Sequence, residues 1–238
     1  VNVDLIRAEF PGRRIDHYPI IDSTMNAAAA LVLGSVVLAD EQTAGQGRHG
    51  HTWHSEAGAG IYCSIVMPPS PFLTLALGLA TADAITQTTG LAVDLRWPND
   101  VMIGSKKCAG ILVQLTDGKA IAGIGINVNH TQFPSELADE ATSLRLASPT
   151  PDPRPLTPIL SALLHAIDRV TPLPPNDILR LFTHASSYAS GRRVVVHQPG
   201  GDIHGVTAGL DNSGFLRVRQ DDGTETLILA GGVRAARA

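Results

Sequence analysis

Two apolar runs, Lys107–Thr116 and Lys119–Asn129, are separated only by Asp117-Gly118. An Asp-Gly pair accepts the positive φ that a two-residue hairpin turn demands, so the runs read as one long antiparallel hairpin. That hairpin commits the chain to a β-sheet. Further strands are expected at Ser35–Asp40, at Ile61–Met67 and at Leu91–Trp97, the last stopped by Pro98. Helical stretches fall between and after them. Asp22-Ser23-Thr24 offers an N-cap to a helix over Asn26–Leu33 that Gly34 ends. Phe72–Thr88, Leu156–Val170 and Asp177–Ala185 are the other helices expected. Between Glu41 and Gly60 lies a polar, glycine-rich stretch without periodicity, and residues 149–158 hold five prolines and read as an extended connector.

The texture changes at Gly191. Short strands at Arg193–His197, Ile203–Leu210, Phe215–Arg219 and Glu225–Leu229 alternate with turns at Pro199-Gly200-Gly201, Asn212-Ser213-Gly214 and Asp221-Asp222-Gly223. Strands at this spacing suggest a small barrel. Hydrophobic residues make up 44% and charged residues 17%, a balance that excludes a disordered chain. The net charge is −4, without the basic footprint of a phosphate-tracking nucleic-acid binder. Two cysteines cannot build a disulfide framework, and Cys63 and Cys108 read as reduced apolar residues. No apolar run is long enough to span a bilayer, and Val1–Pro11 lacks the core of a signal peptide. These features together lead us to expect a soluble cytoplasmic protein.

Gly45-Gln46-Gly47-Arg48-His49-Gly50 matches the dinucleotide fingerprint G-x-G-x-x-G. The context argues against that reading: no helical stripe follows, and no acid lies between Glu56 and Asp83. Two readings stay open. The loop is a flexible connector, or its N–H groups and Arg48 receive a phosphate or carboxylate. His49, His51 and His54 have the chemistry of zinc ligands, but neither cysteine is near in sequence, and three loop histidines are more often solvated. No protein-held metal is expected. In Arg96-Trp97-Pro98-Asn99-Asp100, Asn99 and Asp100 read as a turn at a strand end, a common place for ligand contacts. Lys107 enters a strand otherwise built for burial, so it either points to solvent or meets an anion, and Gly110 leaves room for close approach. Gly123-Ile124-Gly125-Ile126-Asn127-Val128-Asn129 is a glycine-spaced strand whose asparagines offer amides to a purine edge.

The order of these elements is more specific than any one of them. Asp22-Ser23-Thr24 comes first, then Gln42-Thr43-Ala44-Gly45-x-Gly47-Arg48-x-Gly50-x-x-Trp53-x-Ser55. Trp97-Pro98-Asn99-Asp100, Lys107-x-Ala109-Gly110-Ile111-Leu112 and Gly125-Ile126-Asn127 follow. The set resembles the biotin protein ligases over nearly the whole chain. The resemblance implies an α+β protein. Residues 1–188 would form a mixed-sheet catalytic domain of the class II aminoacyl-tRNA synthetase/biotin synthetase type, and residues 189–238 an SH3-like β-barrel. It implies biotin and ATP as substrates, with magnesium held through the ATP phosphates, and a biotin carboxyl carrier protein as partner. The site residues it implies are Lys107, Arg48 and Asp100 for catalysis. For biotin they are Ser23, Thr24, Met25, Gln42, Gly45, Gln46, Gly47, Arg48, Lys107 and Gly110. For the nucleotide they are Arg48, Trp53, Asn127, Asp100 and Arg96.

The chain departs from the family pattern at five positions. Gln46, His49 and His51 stand where arginines are common, Met25 replaces an asparagine, and Arg96 replaces a lysine. Only about twenty residues precede Asp22, too few for the DNA-binding domain of some relatives, so no DNA partner is expected. The resemblance allows a homodimer. The competing readings are a lipoate ligase of the same fold and a non-catalytic binder of biotin or its adenylate.

Overall fold

The computed structural model describes residues 1–150, 152–198 and 200–236. Pro151 of the proline-rich connector and Pro199 of the first barrel turn lie outside them. The chain runs α1 (Val3–Glu9), β1 (Ile15–Ile21), α2 (Thr24–Ala29), β2 (Val36–Gln42), β3 (Gly60–Met67), α3 (Leu73–Thr89), β4 (Asp94–Arg96) and β5 (Asp100–Ile103). It continues with β6 (Lys106–Thr116), β7 (Lys119–Asn127), α4 (Leu156–Val170) and α5 (Pro175–Ala185). The last five strands are β8 (Ser190–His197), β9 (Ile203–Leu210), β10 (Leu216–Gln220), β11 (Glu225–Ile228) and β12 (Gly232–Ala235). β1 to β7 form a seven-stranded mixed sheet in the order β1-β2-β3-β7-β6-β5-β4. Only the β1–β2 pair is parallel. β8 to β12 form an antiparallel sheet in the order β11-β10-β9-β8-β12. No helix of the described residues is long and apolar enough to cross a membrane.

Every residue of β3 is buried, which explains a run that is apolar apart from Ser64 and the Tyr62 hydroxyl. The period of two divides the sheet's faces. Val36, Leu38, Ile124 and Ile126 join the main core with α3 and α4. Val37, Val66 and Ile121 point the other way, into a small cluster with Met25 and Ala28 of α2. Gly123 and Gly125 share that second face, and with them the sheet is bare of side chains beside α2.

Several expectations need correction. The helix expected over Asn26–Leu33 begins at Thr24, capped by the Ser23 hydroxyl, and stops at Ala29. The Lys119 ammonium takes the carbonyls of Ala29 and Leu31 there, at 3.2 and 2.9 Å. The strand expected over Leu91–Trp97 shrinks to Asp94–Arg96. Asp100 is no turn residue: it opens β5, opposite Arg96 and Gly110. α1, β1, β5 and β12 were not anticipated, and with β12 the C-terminal sheet has five strands where four were expected. The two parts are joined directly. Trp97 Nε1 donates to the Gly214 carbonyl at 2.9 Å.

Candidate active site

Two cavities open on the glycine face of the large sheet, and they share Gly47, Arg48, Trp53, Asn99 and Lys107. The first is closed at its inner end by polar side chains. The Thr24 backbone N–H and hydroxyl both reach Gln42 Oε1, at 2.8 and 3.0 Å. The same hydroxyl lies 2.7 Å from the Ser64 hydroxyl, and Gln42 Nε2 donates to Ser55 Oγ at 2.9 Å. Ser23 is wholly buried at the start of α2. Buried hydroxyls and amides so interlinked form a rigid polar end to an otherwise apolar cavity, suited to a neutral, hydrogen-bonding ligand.

Trp53 lies across the floor shared by both cavities. A β-carbon on Gly110 would come within 2.9 Å of its ring, and one on Gly45 within 2.6 Å of its carbonyl. Gly45 and Gly110 therefore leave room for the indole and its backbone. Trp53 Nε1 is buried without a hydrogen-bond partner. The Lys107 ammonium stands 5.2 Å from the ring centre, in cation–π range.

The junction of the cavities concentrates charge. Lys107 Nζ is 2.6 Å from Asp100 Oδ1, and Arg96 reaches Asp100 Oδ2 with Nη2 at 2.7 Å and Nε at 3.1 Å. Burial would raise the pKa of Asp100, but Lys107 and then Arg96 outweigh it and hold the carboxyl below its ordinary value. Arg48 donates to Asn99 Oδ1 at 3.0 Å, and Asn99 in turn donates to the Ile111 carbonyl at 3.0 Å. Burial depresses the pKa of Arg48, partly offset by Asp100. Three cations against one carboxylate leave the junction net positive, ready for anions.

The second cavity extends from this junction past Asn127, His49, His51 and Glu140 to Gly231–Arg234. Asn127 Nδ2 donates to the Thr142 carbonyl at 3.1 Å. Across the mouth, Arg234 of β12 meets Glu140 at 2.8 Å.

Of the residues expected to hold biotin, all but Gly45 line the first cavity, and Gly45 stands behind it against Trp53 and Ser55. Arg48, Trp53, Asn127, Asp100 and Arg96 all line the second. Lys107 does not point to solvent: it meets Asp100. Nothing in the sequence gave a role to Ser64 or Arg234, and Asn99 stood out only as a turn residue where ligand contacts are common. Ser64 carried a signal, as a hydroxyl inside an otherwise apolar strand. His49, His51 and His54 do not come together, since only His54 joins a cluster of donor groups.

The profile described as "Biotin/lipoate A/B protein ligase family" matches residues 19–130, and that of "Biotin protein ligase C terminal domain" matches residues 189–233. The biotin--[acetyl-CoA-carboxylase] ligase of Mycobacterium tuberculosis is 35% identical over 220 residues, covering 87% of this chain and 80% of that protein. The bifunctional ligase/repressor BirA of Bacillus subtilis is 29% identical over 252 residues, covering 94% of this chain and 75% of that protein. Among solved structures, the biotin protein ligase from Aquifex aeolicus in complex with biotin and ATP superposes with a TM-score of 0.85 at 29% identity. That match covers 94% of this chain and 99% of the other. Two cavities meeting at a cationic junction, the ordered motifs that line them and these likenesses agree: the chain belongs to the biotin protein ligase family.

Proposed function

We propose that the first cavity holds biotin, the second holds ATP, and the chain is the ATP-dependent ligase that joins biotin to a lysine of a biotin carboxyl carrier protein. One observation carries the assignment: Arg48 and Lys107 line both cavities at once. A carboxylate projecting from the first cavity meets the α-phosphate of a nucleotide in the second at that shared point.

The reaction then follows from the charges. A biotin carboxylate oxygen attacks the α-phosphorus, and the bond to pyrophosphate breaks. Two anions must approach each other, and Lys107 and Arg48 lower that repulsion and stabilise the charge that develops. Asp100 works through its neighbours, holding Lys107 and Arg96 in place. Magnesium enters with ATP as part of that substrate, on the phosphate oxygens. In the second step the carrier lysine amine attacks the acyl carbon, and AMP leaves with the bonding pair. Ser23, Thr24 and Gln42 suit the neutral ureido ring, Met25, Gly45, Gln46, Gly47 and Gly110 shape its cavity, and Trp53 and Asn127 bound the adenine.

The reading includes finer points of architecture. Residues 1–188 form the catalytic domain, of the class II aminoacyl-tRNA synthetase/biotin synthetase type, and residues 189–238 an SH3-like barrel. The protein acts in the cytoplasm, where the buried free thiols of Cys63 and Cys108 stay reduced. The same reading allows a homodimer.

The test is incubation with ATP, magnesium, biotin and a biotinyl carrier domain, read by mass. The carrier should gain one biotinyl group, dependent on ATP. A gain only with lipoate would replace this reading by the lipoate ligase. No gain with either, alongside retained biotin binding, would make the protein a binder.

A further inference from the structure

His130, three residues beyond β7, is 1% exposed, yet its Nδ1 has no hydrogen-bond partner among the described residues. A buried nitrogen left unpaired is unfavourable and calls for an explanation. Its other nitrogen, Nε2, lies 3.3 Å from the Tyr62 hydroxyl. That hydroxyl donates its one proton to the Glu56 carbonyl at 2.9 Å, so it can only accept from Nε2–H. The tautomer so selected leaves Nδ1 with a bare lone pair.

Two further donors converge on this ring. The donor atoms of His54, Glu56 and His130 lie within 4.8 Å of one another, the one such group of metal-binding side chains among the described residues. Phe133 stacks on His130 at 5.1 Å and meets His54 edge-on at 6.5 Å, which holds both imidazoles in place.

We propose that His54, Glu56 and His130 form a binding site for a divalent transition-metal ion of the zinc type. Two imidazoles and a carboxylate match the ligand preference of zinc, and side-chain rotation closes a 4.8 Å spacing onto one ion. A fourth position falls to water. A ligating histidine that donates its second N–H to an oxygen, as His130 does to Tyr62, is the usual outer-shell arrangement of such sites. Its imidazole ligands distinguish this site from the magnesium on ATP, which prefers oxygen ligands, although His54 also lines the second cavity. Its position gives it a structural effect. His54 and Glu56 end the loop that leaves β2, and His130 follows β7, so a bound ion ties the limb carrying Trp53 to the sheet.

The full chain, stripped with a chelator, is titrated with Zn²⁺ against a chromogenic competitor, and with Co²⁺ read by its visible absorption. One equivalent of either ion should bind. Glu56 is exposed and His54 half-buried outside the hydrophobic core, so Glu56→Gln and His54→Ala leave the core intact, and His130→Ala is checked for folding by circular dichroism. Each should weaken Zn²⁺ binding by about tenfold or more, the loss already typical of outer-shell changes. The double variant His49→Gln, His51→Gln should bind as wild type does. Zn²⁺ should also slow protease cleavage within residues 41–60 in wild type but not in His54→Ala. Absence of stoichiometric uptake would overturn the site and leave His130 an ordinary buried imidazole. So would uptake unchanged by His54→Ala and Glu56→Gln, or uptake lost only in the His49, His51 double variant.

Discussion

A β-carbon on Gly125 would stand 2.3 Å from Cε2 of Trp53. The indole therefore sits on bare backbone, and no other residue fits at position 125 while it stays. Gly125→Ala should push Trp53 off the sheet, with an overpacking cost of about 1–3 kcal/mol. The expected signs are a lower melting temperature, a red shift in tryptophan emission and weakened ATP binding. Gly123→Ala meets only the flexible end of Met25, at 2.8 Å from Sδ, and should be milder in all three. Equal effects at the two glycines would refute the seat for Trp53.

Lys107→Ala should slow biotin-dependent pyrophosphate exchange by about 10²–10³, the loss expected for one preorganised charge contact. Lys106 donates to the Ala138 carbonyl at 2.7 Å, away from the junction, so Lys106→Ala should be nearly silent. Exchange within threefold of wild type for Lys107→Ala would remove it from the chemistry.

Arg48 is the one arginine of the glycine loop and is fixed by Asn99. Arg48→Gly should still form the adenylate but lose hold of it, and free adenylate acylates exposed amines. Labelling of bystander proteins should rise above wild type. Unchanged labelling would show that retention lies elsewhere in the cavity.

Asp100 has its pKa held below the ordinary 3.8, so its ionic contribution to stability is present above that value and is lost as pH falls through the lower folded value. From pH 7 down to about 5 it stays charged. Asp100→Asn should cost about 3–5 kcal/mol, the loss typical of breaking a buried pair. The stability gap between variant and wild type, from urea unfolding, should be constant over that range. A gap that closes by pH 5 would mean that Asp100 takes up a proton there.

The loop between Glu41 and Gly60 should order over the bound adenylate and exclude water from the reactive anhydride. Fixing its residues costs roughly 1–2 kcal/mol each, which ligand contacts must offset. Protease cleavage within the loop should fall on adding biotin and ATP together. Equal cleavage with and without them would count against closure.

Elements with strong local rules were legible in the sequence, and those made by pairing were not. The hairpin expected on either side of Asp117-Gly118 appears as β6 and β7, because these two residues take the positive φ values of 49° and 74° that the turn requires. β5 and β12 have four residues each, too short to show a period, and they exist only through their partners. The site divides the same way. Motif residues marked which side chains matter, but not what they touch. That Arg48 leans on Asn99, 51 residues away, or that Thr24 meets Ser64, 40 away, depends on how the sheet is assembled. His54 looked like a solvated loop residue because its neighbours in space, His130 and Phe133, lie more than seventy residues further along the chain.

The Glu140–Arg234 pair makes the wall of the second cavity a seam between distant parts of the chain. A chimera that takes its last strands from a relative would inherit a new residue opposite Glu140, and with it a changed nucleotide entrance. Such grafts must be matched across this seam, so the C-terminal strands are not an interchangeable module even though they carry none of the reacting groups.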